Sequence, residues 1–389
     1  MRRSRQAAVR GNNHGARVVR SPGNRCADVR QLSLEEAAFL YADGSRAGGH
    51  AHANVTLALV YDPSCAPRGR LRFEDLLQLV GARLHRVPAL RRRVLRTPFE
   101  LDAPWWIEDE AFDLEYHVRH VALPDPGDWR QFCVQASRIH ARPLDLARPL
   151  WELYLVDRLD AIDGLPADSF ALLLKLHHAA TDPAQGPDLA LWLHDAVADA
   201  PPPGPPEPWF PAAAPTPRER WLRAMQHNLG SPLATVRPLW RAATTALPRL
   251  LGALGDAVLH PGRFPTARFN AEVSPHRVFE TRRFEDAQVE AVRRLVRGAS
   301  AEDVLLATIG GGLRRYLARY DELPAADLVA LASPAAAPGE PHRRGWLHRV
   351  ALGTDLEDPV ARLRKVHRSR RRARAQARTP AARDLAAAT

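Results

Sequence analysis

The chain has only three cysteines in 389 residues, Cys26, Cys65 and Cys133, and they lie far apart in the sequence. An isolated and odd set of cysteines excludes a disulfide framework and a cysteine-rich metal cluster, and it is typical of a protein that works in a reducing cytosol. Apolar residues make up 46% of the chain and charged residues 25%. This composition is that of an ordinary globular protein, long enough for two domains.

The sequence also lacks a long apolar run. A membrane-spanning helix needs roughly 18 to 20 apolar residues in succession, and Lys175, Pro248 and Asp256 interrupt the longest candidates. The arginine-rich residues 1–30 contain no apolar core of the kind found in signal peptides. We therefore predict a cytoplasmic protein that contacts the inner face of the membrane peripherally.

Positive charge is concentrated at the two ends of the chain. The formal net charge is +11, but residues 1–30 carry +7 and residues 361–389 carry +9, which leaves −5 for the 330 residues between them. No basic face with interleaved aromatic residues accompanies these ends, so no nucleic-acid partner is predicted. Basic ends are typical of contact with anionic lipid or of solvated tails.

The order of patterns along the chain predicts an α/β (α+β) protein with two similar units. Residues 1–31 are predicted to be a disordered basic leader, and residues 32–200 a first domain of alternating strands and amphipathic helices. Nine prolines between Pro201 and Pro217 begin a linker over residues 201–272. Its apolar stripe at Leu247–Val258, near Trp240, is typical of a connector helix or of an interfacial helix that dips into lipid.

Residues 273–389 are predicted to form the second domain. It is expected to contain a strand over Arg277–Phe284 and a helix over Ala301–Tyr320 that includes Gly310-Gly311-Gly312. Glycine weakens a helix by about 1 kcal/mol relative to alanine, so three in succession indicate close approach of another backbone. A phosphate-binding loop is the alternative, but no Lys-Ser or Lys-Thr pair follows the glycines.

The most informative motif is the pair His177-His178, which follows the apolar run Phe170–Leu176 and precedes Asp182. A buried strand that ends here directs one imidazole to each face of a sheet, because side chains alternate along a strand. An imidazole with a pKa near ~6.5 is well suited to take a proton from an alcohol at neutral pH. The pattern therefore indicates a catalytic histidine, His178, and a structural pair is the alternative. Metal binding is not predicted, because adjacent strand histidines diverge and no Cys or Glu stands at zinc spacing.

Several short motifs occur together between residues 32 and 375. They are Leu32-Ser33, Phe39-Leu40, Pro104-Trp105-Trp106, the run from Phe112 to Arg119, Arg142-Pro143-Leu144-Asp145, the run from Arg148 to Glu152, Lys175-Leu176-His177-His178-Ala179, Asp303-Val304-Leu305 and the run from Leu313 to Leu317. This set resembles the bacterial wax ester synthase/diacylglycerol acyltransferase family. The family is similar in fold to the coenzyme A-dependent acyltransferases of the chloramphenicol acetyltransferase type, which have two related α/β domains with a channel between them.

The resemblance implies an O-acyltransferase that moves a long-chain acyl group from acyl-CoA to diacylglycerol or a fatty alcohol at a membrane or lipid-droplet surface. It makes His178 the general base, gives His177 a supporting role, and has Asp182 hold the loop that follows. No metal or other cofactor is implied, since acyl-CoA is a co-substrate. The remaining residues that it assigns to substrate binding or to the shape of the channel are Pro149, Leu150, Trp151, Pro183, Gly186 and Asp303.

The chain departs from the family pattern at several positions. Pro183 stands where the family motif has glycine after the aspartate, and the family's Asn-Asp pair is Glu302-Asp303 here. Its Pro-Val-Ser-x-Arg strand is replaced by Ser333–Ala337, and Trp346 stands where the family has asparagine. Because family members usually continue beyond the length of this sequence, we expect an incomplete second domain. These departures leave open a catalytically impaired, truncated paralogue that acts as a lipid- or membrane-associated protein. A condensation-type transferase that uses a carrier-protein thioester shares the same motif and fold, and the Pro149-Leu150-Trp151 context argues against it.

Overall fold

The computed structural model describes residues 29–43, 52–66, 69–180, 192–195, 209, 211–230, 268, 274–332 and 348–377. Several predicted features lie outside these ranges. They are most of the basic leader, Asp182, Pro183, Gly186, most of the proline-rich segment, Trp240, the stripe Leu247–Val258, the run Ser333–Ala337 and Trp346.

In chain order the strands are β1 (Arg30–Gln31), β2 (Asn54–Tyr61), β3 (Arg92–Leu95), β4 (Trp105–Glu108), β5 (Val118–Ala122), β6 (Trp151–Asp157), β7 (Phe170–His177), β8 (Val329–Ala332) and β9 (His348–Ala351). The α-helices are α1 (Leu34–Ala42), α2 (Phe73–Arg83), α3 (Leu114–His117), α4 (Trp129–Ala141), α5 (Pro217–Gly230), α6 (Asp286–Arg293), α7 (Ala301–Arg319) and α8 (Pro359–Ala377).

A four-stranded mixed sheet in the order β2-β7-β6-β5 carries the His-His motif. Strand β7 lies between β2 and β6 and runs antiparallel to both, whereas β5 and β6 are parallel. Every residue of β7 is buried. A strand covered on both faces reads as a continuous apolar run, which explains the composition of Phe170–Leu176.

The two faces of this sheet belong to two separate parts of the core. Phe170, Leu172, Leu174 and Leu176 face the cluster that includes Leu76 and Val80 of α2, together with Trp151. Ala171 and Leu173 face the opposite cluster, with Phe132, Ala136 and Ile139 of α4. The period of two along β7 places Lys175 and His177 on this second face.

A second sheet in the order β1-β4-β3 is antiparallel throughout. Helix α1 packs close to it, since Leu40 of α1 belongs to the same buried cluster as Trp106 of β4, Leu150 and Ala179. The Ser33 side chain accepts the N–H of Glu36, and the Glu36 carboxylate accepts the N–H of Ser33, which forms a capping box at the start of α1. Helix α1 also contacts the turn that follows β7.

The C-terminal part of the described chain pairs helices α7 and α8 with strands β8 and β9. A Cβ atom on Gly310 would lie 2.1 Å from the carbonyl oxygen of Leu352. A backbone therefore passes directly against α7 at this position, and the prediction of a close approach at the glycine run is confirmed there. A Cβ atom on Gly312 would meet nothing within 4 Å.

Two sequence-based expectations differ from the structure. No strand forms over Arg277–Phe284, where the backbone is irregular, although Glu280 in this segment accepts a hydrogen bond of 3.2 Å from Nε1 of Trp129. Arg30 and Gln31 pair with β4, although they fall within the segment that was predicted to be a disordered leader.

The predicted α/β (α+β) class is confirmed by the mixed sheets and their packed helices. Among the helices of the described residues, none is both long enough and apolar enough to cross a bilayer.

Candidate active site

His178 is the first residue after the buried strand β7. The strand ends at His177, one residue earlier than the sequence pattern suggested, and His178 opens the 3₁₀ turn His178–Ala180. The backbone N–H of His178 donates to the carbonyl oxygen of Ala53 at 2.7 Å. Its imidazole is partly exposed and stacks on Phe39 of α1, with ring centroids 5.1 Å apart. The side chain is thus placed by a helix face and a backbone hydrogen bond.

His177 is completely buried and has a different environment. Its Nδ1 accepts the backbone N–H of Ala179 at 3.0 Å, which leaves the proton on Nε2. Nε2 lies 3.3 Å from Oδ2 of Asp43 and donates to it. Because Nδ1 must keep a lone pair for Ala179, His177 is neutral in this arrangement, and it fixes the turn that carries His178.

Asp43 connects both sides of the histidine pair. It follows α1 directly, is only 4% exposed, and its Oδ2 also accepts the backbone N–H of Ala53 at 2.9 Å. His52 Nδ1 lies 3.4 Å from the other carboxylate oxygen. Asp43 therefore holds Ala53, whose carbonyl binds the His178 backbone, as well as His177. Sequence reasoning missed this residue, because nothing in the local pattern links position 43 to the motif 134 residues later.

Burial shifts the pKa values of the histidines in one direction. Desolvation lowers the pKa of His178 below its usual range. Desolvation also lowers the pKa of His177, although the neighbouring Asp43 carboxylate opposes part of this effect. A lowered pKa keeps the imidazole of His178 neutral at pH 7, and the neutral form is the one that can accept a proton.

Lys175 anchors helix α4 beneath the motif. Its side chain is fully buried, and Nζ donates to the carbonyl oxygens of Ile139, at 3.0 Å, and Arg142, at the C-terminal end of α4. A cation at this end of a helix is favourable because the last carbonyls have no partners within the helix. Nζ also lies 3.7 Å from Oε2 of Glu152 in the adjacent strand β6. Through Lys175, the strand that carries the histidines is therefore connected to helix α4 and to strand β6.

The segment Pro149-Leu150-Trp151 lies in the core beside the motif. All three residues are buried. The carbonyl oxygen of Leu150 accepts the backbone N–H of His177 at 3.0 Å, and Nε1 of Trp151 donates to the carbonyl oxygen of Leu90 at 2.6 Å. The Trp151 ring stacks on His117 with centroids 4.7 Å apart. The geometry therefore gives this segment a part in packing and in the position of His177.

Asp303 lies near the start of α7, and its carboxylate is hydrogen-bonded to neighbouring residues. Its carboxylate accepts hydrogen bonds from Arg370 and from His367 Nδ1, each at 2.9 Å, and from the backbone N–H of Ser300 at 2.9 Å. These contacts cap α7 and join it to α8. The remaining predicted site residues, Asp182, Pro183 and Gly186, lie outside the described residues.

Comparisons with known proteins identify the family. The model of the wax ester synthase/diacylglycerol acyltransferase catalytic domain matches residues 32–305. A Mycobacterium tuberculosis protein named as a diacylglycerol O-acyltransferase is 35% identical over 351 residues, which cover 87% of this chain and 71% of that protein. A second M. tuberculosis protein with such a name is 36% identical over 267 residues, or 66% of this chain and 92% of that protein.

A solved structure supports the fold. The wax ester synthase/diacylglycerol acyltransferase from Marinobacter aquaeolei VT8 matches with a TM-score of 0.56 and 23% identity, over 89% of this chain and 73% of that one. Fold and sequence matches together define an acyltransferase. The chain belongs to the wax ester synthase/diacylglycerol acyltransferase family. The predicted family and enzyme class are confirmed, whereas the linker and the incomplete second domain stay predictions.

Proposed function

We propose that this chain transfers a long-chain acyl group from acyl-CoA to the hydroxyl of diacylglycerol or a long-chain alcohol, with His178 as general base. The observation that carries the proposal is the placement of His178: partly exposed, directly after the central strand, with a pKa lowered by burial. The names of the relatives support the choice of acceptors.

In the proposed reaction, His178 takes the proton from the acceptor hydroxyl as its oxygen attacks the thioester carbonyl. A tetrahedral oxyanion forms and then collapses, so that the C–S bond breaks and the ester bond remains. The leaving thiolate of CoA then takes this proton from the imidazolium, which leaves the free thiol and a neutral His178. Proton and charge therefore balance without an acyl-enzyme.

In this proposal, the other assigned residues position the reacting groups and take no part in forming or breaking bonds. His177 and Asp43 hold the turn of His178, and Asp182 holds the loop that follows. Pro149, Leu150 and Trp151 shape the acyl channel from the core side. Pro183, which locks φ near roughly −65°, stiffens the mouth of the channel beside Gly186. Asp303 keeps the second-domain helix in place.

The proposal is tested by acyl transfer from radiolabelled palmitoyl-CoA to diacylglycerol or hexadecanol, read by lipid chromatography. We expect His178→Ala to reduce turnover by about 10²–10⁴-fold, because a general base contributes that much to such a step. The variant should fold normally, since the bond from the His178 backbone to Ala53 does not involve the imidazole. The matched control is His85→Ala, at an exposed position. A His178→Ala enzyme with more than about half of the normal turnover at saturating acyl-CoA would exclude His178 as the base.

A further inference from the structure

A basic cavity lies between the start of α7 and the C-terminal half of α8. Its volume is about 210 Å³, and its lining includes Arg297, Arg370, Arg371, Arg374 and His367. A cavity needs only about 10–15 Å³ in the same measure to hold one water molecule. The basic cavity therefore has room for a ligand larger than several water molecules.

The cavity carries more positive charge than its own carboxylates neutralise. Asp303 binds Arg370, and Glu302 binds both Arg370 and Arg374. Within the described part of the chain, Arg297 and Arg371 form no ion pair with any carboxylate. Among the described residues, four guanidinium groups line the cavity, and the two carboxylates that bind them are Asp303 in the lining and Glu302 beside it, so two positive charges are in excess.

Arg370 distinguishes this cluster from an ordinary solvated run of arginines. It is only 8% exposed, and it is fixed by hydrogen bonds of 2.8 Å to Ser300 Oγ and 2.9 Å to Asp303. Burial and, next, the nearby Arg374 lower the pKa of Arg370. The Glu302 carboxylate, which binds both arginines, offsets part of the repulsion between Arg370 and Arg374.

The backbone adds to the positive potential of the cavity. Helix α7 is 19 residues long and begins at the cavity, where its dipole is positive. Gly298, with φ +82°, lines the cavity, and a Cβ there would lie 3.8 Å from Nε2 of His367. The imidazole and the turn before α7 therefore form a wall of the cavity, beside the arginines.

We propose that this cavity binds a phosphate group, as a phosphomonoester or a diphosphate. Guanidinium groups match phosphate oxygens through paired N–H donors, and several arginines around one cavity favour a doubly charged anion. The phosphate could come from the CoA part of the acyl donor or from a lipid headgroup. The first source rests on the proposed function, and the second does not.

The test compares two double variants of the full chain with matched loss of charge. Arg297→Ala/Arg371→Ala removes the two cavity arginines that lack described carboxylate partners. Arg364→Ala/Arg372→Ala removes two exposed arginines of α8 that do not line the cavity. Calorimetry measures the binding of CoA, dephospho-CoA and inorganic phosphate, and co-sedimentation measures binding to phosphatidylcholine vesicles with and without phosphatidic acid.

We expect the cavity variant to bind its phosphate ligand roughly tenfold more weakly, as expected for lost charge-assisted hydrogen bonds, and the control to bind like the unmodified protein. A selective loss of CoA binding assigns the cavity to the donor. A selective loss of binding to phosphatidic acid vesicles assigns it to lipid. Equal effects of both variants, or no effect on any probe, would overturn the proposal.

Acyl transfer measured on the same samples separates this proposal from the proposed function. Phosphate binding in the cavity without any acyl transfer would refute the proposed function and support the phosphate site. If the unmodified protein transfers acyl groups and the cavity variant binds every probe normally, the phosphate site is refuted and the proposed function is supported.

Discussion

Asp43 is the residue whose change tests how the histidine turn is held. Asp43→Ala removes the acceptor for both the His177 imidazole and the Ala53 backbone N–H. We expect the kcat per folded molecule to fall by up to roughly a hundredfold, because small displacements of a catalytic group have effects of that size. KM should change much less, and Asp43→Asn should restore part of the activity. An unchanged kcat in Asp43→Ala, with only the yield of folded protein reduced, would show that Asp43 is structural alone.

Buried histidines give a prediction for stability at acid pH. Burial lowers the pKa values of His117, His140 and His177 in the folded state, so below about pH 6.5 the unfolded chain binds more protons. Their contribution to stability is therefore complete above that pH and is lost as the pH falls through the lowered pKa values. Urea unfolding should show a smaller free energy of unfolding at pH 5 than at pH 7.5. His140→Gln should reduce the difference, and a flat profile would contradict this account.

At the scale of elements, the close contact of α7 with the chain at Leu352 can be tested at two glycines of one helix. Gly310→Ala would place a Cβ 2.1 Å from the Leu352 carbonyl oxygen. We expect a loss of about 1–3 kcal/mol in the free energy of unfolding, as for other overpacked sites. Gly312→Ala is the control, since a Cβ there meets nothing within 4 Å, and it should stabilise the helix by up to about 1 kcal/mol. Equal effects of both substitutions on the unfolding midpoint would refute the contact.

The elements that the sequence predicted best are those with strong local signals. Helix α4 over Trp129–Ala141 has clear signals at both ends, because Asp128 caps its first turn and Pro143 follows it closely. Strand β7 was recognisable because burial on both faces leaves a continuous apolar run. The segment Arg277–Phe284 contains β-branched and aromatic residues but has no strand partner in the described chain, and pairing as well as composition decides whether a strand forms.

The sequence predicted the two histidines of the candidate site but not the residues that hold them in place. His178 and His177 are adjacent in sequence, so composition and spacing identify them. Asp43 and Phe39 reach them only through the packing of α1 on the turn after β7, which is a long-range contact. Likewise, the arginines of the basic cavity come from α8 and from the turn before α7, and no sequence window contains both.

At the scale of the whole molecule, the uneven charge gives a prediction about lipid. The basic ends and the apolar stripe at Leu247–Val258 lead us to expect peripheral binding to anionic membranes or lipid-droplet surfaces. Co-sedimentation with anionic liposomes should be strong at low salt and weak at high salt, because screening shortens the range of the attraction. Neutral liposomes are the control. Binding that is absent at low salt, or that resists carbonate extraction, would contradict a peripheral mode.

The backbone around the proposed base has a consequence for how the enzyme loses activity on heating. The N–H groups of His177 and His178 donate to two different partners, Leu150 next to β6 and Ala53 next to β2. The backbone of His178 is therefore held in place while the sheet persists, and it is released once the sheet opens. We therefore expect thermal inactivation and the opening of this sheet to be a single event, so that the lifetime of the activity equals the lifetime of the strand β7.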